Sequence, residues 1–214
     1  MNRNTLCREI IEAAQSFERL GLGVVTAGNL SARCETGILI TPSGVPYPDL
    51  ETASLVELDV GGNIVAGKLK PSSEWRLHAA VYADRPGVAA VVHVHSPWAT
   101  ALACTREDIP AFHYMVARAG GDSIRCAEYA TFGSAELARN AVTALAGRRA
   151  CLLANHGMVT LGGTPREALD LAREVEELAK QYALSRLAGE PVLLDEEEMR
   201  IILEQFKTYG HQGD

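Results

Sequence analysis

The apolar run at residues 91–97 carries two histidines separated by one valine. Successive side chains of an extended strand alternate between its two faces, so His93 and His95 project from the same side. Two parallel imidazoles are half of a transition-metal site, because such a site takes three or four protein ligands. Burying both rings as neutral groups would need two separate hydrogen-bond acceptors, whereas one divalent cation satisfies both. From this pair alone, two interpretations are equally good: the histidines are hydrogen-bonded core residues, or they are half of a metal site.

Two further residues are candidates to complete such a site. His156 lies in the stretch Asn155-His156-Gly157, which is typical of a turn between two apolar runs. Glu74 lies at the start of a helix that Pro71-Ser72-Ser73 predicts. His78, four residues later on the same predicted helix face, can support the Glu74 carboxylate or bind metal, and we interpret it as structural.

Two short stretches of small polar residues can bind an anion. Thr41-Pro42-Ser43-Gly44 follows a strand and predicts a loop with backbone N–H groups free to face an anion, although an ordinary turn has the same signature. Ser72-Ser73-Glu74 precedes a helix, where the first amides are unpaired and the dipole favours negative charge. For the second stretch, common helix capping is a strong alternative that needs no ligand.

Hydrophobic periodicity predicts alternating helices and strands in one domain that spans residues 1–214. A first helix, capped by Asn4 or Thr5 and closed by Gly21, precedes two β-hairpins. The later predicted helices begin near residues 73, 97, 135, 165 and 196, and strands are predicted at 91–95, 149–153 and 159–161. The last helix is predicted to end near residues 209–210.

Composition excludes several classes of protein. A formal net charge of -7 with no Lys/Arg cluster argues against nucleic-acid binding, because nothing replaces the counterions of a phosphate backbone. The N-terminus lacks the apolar core of a signal peptide and no apolar run is long enough to span a bilayer, so a cytoplasmic protein with no membrane partner is expected. Five scattered cysteines without a Cys-x-x-Cys motif predict reduced thiols rather than disulfides or a zinc knuckle.

Taken together, five motifs resemble those of the class II aldolase/adducin family, over nearly the whole chain. These motifs are Gly28-Asn29-Leu30-Ser31, Thr41-Pro42-Ser43-Gly44, Ser72-Ser73-Glu74-Trp75-Arg76, His93-Val94-His95 and Asn155-His156-Gly157. The resemblance implies a three-layer α/β/α fold with a largely antiparallel central sheet. It also implies a homotetramer with active sites between subunits.

The resemblance also implies roles for individual residues. His93, His95 and His156 would bind Zn2+ or another divalent metal, and Glu74 would be the metal-proximal carboxylate that acts as base. Tyr114 would reach the site from a neighbouring subunit, and Tyr209 would help to close it. The residues expected to hold a substrate phosphate are Asn29, Ser43, Gly44, Ser72 and Ser73.

The segments 109–115 and 206–210 are similar to the active-site tyrosine segments of the family's ketose 1-phosphate aldolases. The expected activity is therefore reversible, zinc-dependent cleavage of a sugar phosphate such as L-fuculose 1-phosphate, which gives dihydroxyacetone phosphate and an aldehyde such as lactaldehyde. Three alternatives remain open: an aldolase for 5-deoxyribulose or methylthioribulose 1-phosphate, a metal-dependent epimerase or decarboxylase of the same family, and a non-catalytic adducin-like binding module. Ser96-Pro97-Trp98 departs from the aldolase pattern and leaves the aldehyde open.

Overall fold

A computed structural model describes residues 2–207, in which short apolar segments form one eight-stranded sheet. The strand order is β4-β3-β2-β1-β5-β8-β7-β6. Neighbouring strands are antiparallel except β6 and β7, which are parallel. The strands are β1 (Asn29–Arg33), β2 (Ile38–Ile40), β3 (Val56–Leu58), β4 (Ile64–Ala66), β5 (Ala90–Val94), β6 (Arg125–Ala127), β7 (Ala150–Leu153) and β8 (Gly157–Gly162).

Helices cover both faces of this sheet. Two separate hydrophobic clusters fill the spaces between the layers, one beneath α1, α3, α5 and α6 and the other beneath α2 and α4. This arrangement confirms the predicted three-layer α/β/α fold with a largely antiparallel sheet. The helices are α1 (Arg3–Gln15), α2 (Trp75–Asp84), α3 (Pro97–Ala103), α4 (Ala135–Ala144), α5 (Pro165–Ala188) and α6 (Glu196–Phe206).

The central strand β5 shows how the sequence pattern places the histidines. All five of its residues are buried, and Val92 and Val94 pack into the cluster beneath α1 and α5. Val91 packs into the opposite cluster, beneath α2 and α4. Because side chains alternate along a strand, His93 also faces the α2 layer. The strand ends at Val94, so His95 is the first residue beyond it.

The structure corrects some of the predicted boundaries. Asn2, rather than Asn4 or Thr5, caps α1, because its side chain accepts a hydrogen bond from the Asn4 amide at 3.0 Å. The helix ends at Gln15, well before Gly21. Strand β6 was not predicted, because its sequence Arg-Cys-Ala is short and has no clear alternation.

The long helix α5 is capped at its N-terminus by a threonine. Thr164 caps it by accepting from the Glu167 amide at 3.1 Å, and Pro165 occupies the first turn. The Glu167 carboxylate accepts from the Gly163 amide at 3.0 Å instead of closing a reciprocal capping box. Within residues 2–207, neither α5 nor any other helix combines the length and apolar composition required to cross a membrane.

Candidate metal and anion site

Three histidines from two places in the sequence converge at one end of the central strands. His93 lies near the end of β5, His95 follows that strand, and His156 lies in the turn between β7 and β8. The antiparallel pairing of Val94 with Met158 brings the end of β5 to the start of β8. Each pair of the three imidazole rings has a centroid distance of 4.8 Å. The rings therefore form a nearly equilateral cluster.

The turn that presents His156 has an unusual backbone conformation. Asn155 adopts a left-handed conformation with φ +53°, which asparagine tolerates better than most residues. A Cβ at Gly157 would lie 2.4 Å from the carbonyl oxygen of Val94, so only glycine permits this close approach of the two strands. These two residues explain why the sequence Asn-His-Gly can turn His156 toward β5.

Glu74 supplies a carboxylate to the same cluster from the other layer. It occupies the N-cap position of α2, but its side chain makes no capping hydrogen bond. Its Oε2 lies 2.7 Å from His93 Nε2, and its Oε1 lies 3.5 Å from His156 Nε2. Oε1 is buried and has no hydrogen-bond partner among the described residues. One potential ligand atom from each of the four residues lies within 4.8 Å of the other three.

The protonation states of this cluster fit a divalent cation. The Met158 carbonyl lies 2.9 Å from His93 Nδ1 and can only accept, so Nδ1 carries a proton and Nε2 is the nitrogen that faces the cluster. Burial and repulsion from His93 lower the pKa of His95 to about 3 and that of His156 to about 4, which leaves both rings neutral at pH 7. Nitrogen lone pairs and a buried carboxylate are a donor set that a transition metal accepts.

The two acid–base partners Glu74 and His93 shift each other's pKa. Burial raises the pKa of Glu74, but the charge of His93 and its hydrogen bond, and then His156 and His78, lower it well below its usual range. Burial lowers the pKa of His93, and the Glu74 carboxylate more than offsets this, so the net shift is upward. The site therefore holds an ionised carboxylate at neutral pH.

A distant carboxylate fixes the residue that follows His95. Ser96 is fully buried, and its hydroxyl donates to Glu176 Oε2 at 2.6 Å. The amides of Trp98 and Ala99, in the first turn of α3, donate to the same carboxylate at 2.9 Å. Glu176 thus replaces a local cap for α3 and anchors the backbone beside His95. No local sequence pattern indicates this contact, which spans 80 residues.

Two polar loops meet beside the cluster. Residues 42 and 71 form an isolated antiparallel bridge, and the amides of Ser43 and Ser72 donate to the opposite loop at 3.0 and 3.1 Å. These two amides are therefore not free for an anion, contrary to the expectation for the first loop. The amides of Gly44 and Ser73 have no protein acceptor within residues 2–207, so they remain available as donors.

A cavity of about 260 Å³ joins the two loops to the cluster. Its walls bring together eight of the residues predicted for the site: Asn29, Ser43, Gly44, Ser72, Ser73, Glu74, His95 and His156. The remaining predicted metal ligand, His93, is fully buried and is not exposed to the cavity. Larger grooves of about 540 and 500 Å³ elsewhere on the described surface are lined by no histidine.

Tyr114 is not among the residues that line this cavity. Tyr114 is 51% exposed and stacks on Phe206 with a centroid distance of 6.4 Å. Tyr209 lies outside the residues that the structure describes. Their predicted roles remain predictions.

Sequence reasoning missed an aromatic residue at the rim of the cavity. Phe132 lines it, although 67% of this residue is exposed. The next residue, Gly133, has φ +71°, and a Cβ there would lie 2.8 Å from the Ser73 carbonyl oxygen. The close approach of these two loops therefore requires glycine and holds Phe132 beside the polar loops. The sequence feature that could have indicated Phe132 is a glycine, typical of a turn, directly after an isolated aromatic residue.

Comparison with known proteins identifies relatives along nearly the whole chain. Residues 8–183 match the family described as Class II Aldolase and Adducin N-terminal domain. The chain is 53% identical over 209 residues to the 5-methylthioribulose-1-phosphate/5-deoxyribulose-1-phosphate aldolase of Rhodospirillum rubrum, covering 98% of this chain and 94% of that protein. It is 48% identical over 211 residues to the L-fuculose phosphate aldolase of Escherichia coli K12, covering 98% of both. A solved structure of an L-fuculose 1-phosphate aldolase matches with a TM-score of 0.92 and 42% identity, covering 95% of this chain and 96% of that one.

Proposed function

The chain belongs to the class II aldolase and adducin family, and from that premise we propose that it cleaves a ketose 1-phosphate into dihydroxyacetone phosphate and a small aldehyde. It is a class II aldolase of the type represented by its fuculose-phosphate and methylthioribulose-phosphate relatives. One observation carries the proposal: a single cavity joins the histidine–carboxylate cluster to hydroxyl and amide donors without acceptors. A phosphorylated ketose presents a chelating oxygen pair and a dianion to such a cavity.

The proposed metal ligands are His93, His95 and His156, with Glu74 beside them. A divalent metal held there would act as a Lewis acid and stabilise the negative charge that develops on the ketone oxygen as the carbon–carbon bond breaks. We assign zinc, because three imidazole ligands would suit a catalytic zinc ion, which keeps a further position open for the substrate. The neutral state of His95 and His156 is the form of imidazole that binds a metal ion.

Glu74 is the proposed general acid–base at the carbon that becomes nucleophilic. Its lowered pKa keeps it ionised at neutral pH, and Oε1 has no competing hydrogen bond among the described residues. In the synthetic direction it would remove an α-proton from dihydroxyacetone phosphate, and in cleavage it would return that proton. Tyr114 is the proposed proton donor and acceptor at the aldehyde oxygen.

The proposed phosphate site uses neutral donors and a helix terminus. Ser43 and Ser73 offer hydroxyls, and Gly44 and Ser73 offer the two amides that have no protein acceptor in the described chain. Both loops lie at the N-terminus of α2, where the helix dipole favours an anion. Asn29 and Ser72 complete the predicted set.

The proposed assembly is a homotetramer in which each site borrows Tyr114 from a neighbouring subunit, with Tyr209 closing it. The position of Tyr114 outside its own chain's cavity and the exposure of half its surface support this arrangement. A subunit-mixing experiment, described in the Discussion, tests it.

A second candidate substrate class shares the same chemistry. L-Fuculose 1-phosphate, 5-deoxyribulose 1-phosphate and 5-methylthioribulose 1-phosphate all yield dihydroxyacetone phosphate and differ in the aldehyde. The 53% identity to the Rhodospirillum rubrum enzyme supports the two pentulose phosphates as the second candidate. Ser96-Pro97-Trp98, which follows the histidine pair, departs from the aldolase pattern. This departure bears on the same end of the substrate, the aldehyde half.

A coupled assay for dihydroxyacetone phosphate release tests the proposal with all three ketose 1-phosphates. We expect release that a chelator abolishes and zinc restores, and the highest kcat/KM identifies the preferred aldehyde half. Absence of release from all three by metal-loaded protein would contradict the aldolase proposal. Epimerised or decarboxylated sugar phosphates in the same mixtures would assign one of the alternative reactions, and failure to bind any divalent metal would favour a binding module.

A further inference from the structure

A row of buried polar side chains runs between α2 and β1, beside the proposed phosphate site. On α2 the polar residues recur every four positions, at Glu74, His78 and Tyr82, which is a rise of about 6 Å. On β1 they recur every two positions, at Asn29 and Ser31, which is a rise of about 6.6 Å. The two spacings match, so the two rows stay in register. His78 and Ser31 are fully buried, and Asn29 and Tyr82 are 7% and 5% exposed.

His78 bonds through both of its ring nitrogens. Its Nε2 lies 2.5 Å from Asn29 Oδ1, and its Nδ1 lies 2.6 Å from Ser31 Oγ. The Tyr82 hydroxyl lies 2.9 Å from Ser31 Oγ and 3.0 Å from the Ser31 carbonyl oxygen, so its single proton is shared between these two acceptors. These contacts form a continuous chain from Tyr82 to the amide of Asn29.

The chain of hydrogen bonds has one consistent assignment of protons. Asn29 Oδ1 can only accept, so His78 Nε2 carries a proton and donates it. A second proton on a fully buried imidazole would be costly, and burial lowers the pKa of His78 to about 3. Nδ1 is therefore bare and accepts from the Ser31 hydroxyl.

The hydrogen bond to His78 holds the Asn29 amide with its other end toward the cavity. The Asn29 backbone is held by the ladder to β5, where it pairs with His93, but the terminal torsion of an asparagine side chain is soft. With Oδ1 bound to His78, the Nδ2 group is left without a protein acceptor among residues 2–207, and Asn29 lines the cavity. The opposite orientation would present an oxygen lone pair to a phosphate dianion.

We propose that His78 is a positioning residue that locks the Asn29 amide with its Nδ2 donor turned toward the phosphate of the substrate. The inference rests on the proposed function, because it assumes that the phosphate binds beside Asn29. It predicts that His78 controls phosphate affinity through Asn29 without contacting the phosphate itself. A histidine that only fills the core would change stability and leave that affinity unaltered.

Two amide substitutions at one position separate these roles. Asparagine can replace Nδ1, keeping the Ser31 contact, whereas glutamine reaches the position of Nε2 and can donate to Asn29. The probe is inorganic phosphate, titrated calorimetrically into the zinc-loaded protein. His78→Asn should raise the phosphate Kd and the substrate KM about tenfold, the value of one charge-assisted hydrogen bond, with kcat little changed. His78→Gln should restore both to within about threefold of the unmodified protein.

Tyr82→Phe is the matched control. It removes a buried hydroxyl from the same row but leaves both hydrogen bonds of His78. Its thermal midpoint should fall while its phosphate Kd stays within about twofold, because the Asn29 amide keeps its lock. An equal loss of phosphate affinity in Tyr82→Phe and His78→Asn would attribute the effect to general loosening and overturn the proposal.

A double-mutant cycle tests whether His78 acts through Asn29. Asn29→Ala should weaken phosphate binding, and His78→Asn should add nothing further in that background. If the two substitutions together raise the phosphate Kd by the product of their separate effects, His78 does not act through Asn29 and the proposal is overturned. If Asn29→Ala weakens binding and His78→Asn does not, only the positioning role is wrong. If neither Asn29→Ala nor Ser73→Ala weakens binding, the proposed phosphate site is itself wrong and the inference fails with it.

A measurement on the unmodified protein covers the case in which the His78 variants do not fold. Long-range proton–nitrogen NMR of protein labelled at histidine reports which ring nitrogen carries the proton. We expect the Nε2–H form for a buried histidine that does not titrate above pH 5. Finding the Nδ1–H form at His78 would overturn the proposal, because Nε2 could not then donate to Asn29.

Discussion

Glu74 Oε2 lies 2.7 Å from His93 Nε2, although Glu74 is the N-cap residue of α2 and makes no cap. A capping side chain usually contributes about 1 kcal/mol to helix stability. The carboxylate is instead buried against an imidazole cluster, with one oxygen that has no hydrogen-bond partner among the described residues. A carboxylate that lies at an N-cap position without capping the helix is expected of a residue with a catalytic role.

Replacing Glu74 by glutamine tests its proposed role in proton transfer. The amide has the same shape but cannot accept the α-proton, so kcat should fall by about 10²–10⁴, the usual contribution of general acid–base catalysis. Exchange of the dihydroxyacetone phosphate α-proton with deuterated solvent, followed by proton NMR, should be lost in parallel. Retained exchange in Glu74→Gln protein with full metal content would contradict the assignment.

Metal removal should lower thermal stability as well as activity. A ligand at 1,000 times its dissociation constant stabilises the folded state by about 4 kcal/mol, which corresponds to roughly 10 °C for a domain of this size. Thermal scans with zinc and with a chelator should show this difference. His156→Ala removes one of the proposed ligands and should abolish most of it. A chelator shift that persists undiminished in His156→Ala would place the metal elsewhere.

Glu176→Gln should destabilise α3 and weaken metal binding together. The carboxylate accepts from the Ser96 hydroxyl and from two first-turn amides, so losing its charge should reduce the free energy of unfolding by about 1–3 kcal/mol. The backbone beside His95 would then be less well held, and the zinc Kd should rise. Urea denaturation and a competitive zinc titration measure the two effects.

Glu177→Gln is the matched control for Glu176. Glu177 is the next residue of α5, and its carboxylate accepts only an exposed hydrogen bond, from Gln181 at 3.2 Å. Both measurements should stay close to those of the unmodified protein. Equal effects of the two substitutions would show that helix charge, rather than the cap on α3, is responsible.

Local patterns in the sequence were sufficient for part of the site. The period of two along β5 places His93 on one face of the sheet, and the Asn-His-Gly turn presents His156. The sequence pattern placed the two loops at Ser43 and Ser72 correctly, but it did not predict the hydrogen bonds between them. Those amides bond to each other's loops, a contact between segments that no local pattern encodes.

The contacts that position the site could not be predicted, because they join distant segments. Glu176 reaches Ser96 across 80 residues, and His78 reaches Asn29 across 49. Each residue taken alone has an ordinary explanation in the sequence, as a charge on a helix or as a core histidine. Their partners depend on how α5 and α2 pack on the sheet, which hydrophobic periodicity specifies only as a buried face.

Acid should destabilise the protein in part through His78. Its folded pKa of about 3 is below the unfolded value of about 6.5, so the unfolded chain binds a proton first as pH falls. This contribution to stability is complete above about pH 6.5 and is lost toward about pH 3, at about 1.4 kcal/mol per pH unit. Denaturant unfolding of His78→Gln should show a pH slope smaller by one proton. An unchanged slope would contradict a buried neutral His78.

Mixing two defective subunits tests whether Tyr114 acts in its own chain or in a neighbour. Glu74→Gln and Tyr114→Phe proteins, each with low activity, are denatured together and refolded, and light scattering verifies that tetramers form. If each site takes Glu74 from one subunit and Tyr114 from the next, about a quarter of the sites in an equal random mixture are intact. Activity should then rise toward about a quarter of that of the unmodified protein. If both residues come from one chain, every site keeps one defect and mixing adds nothing.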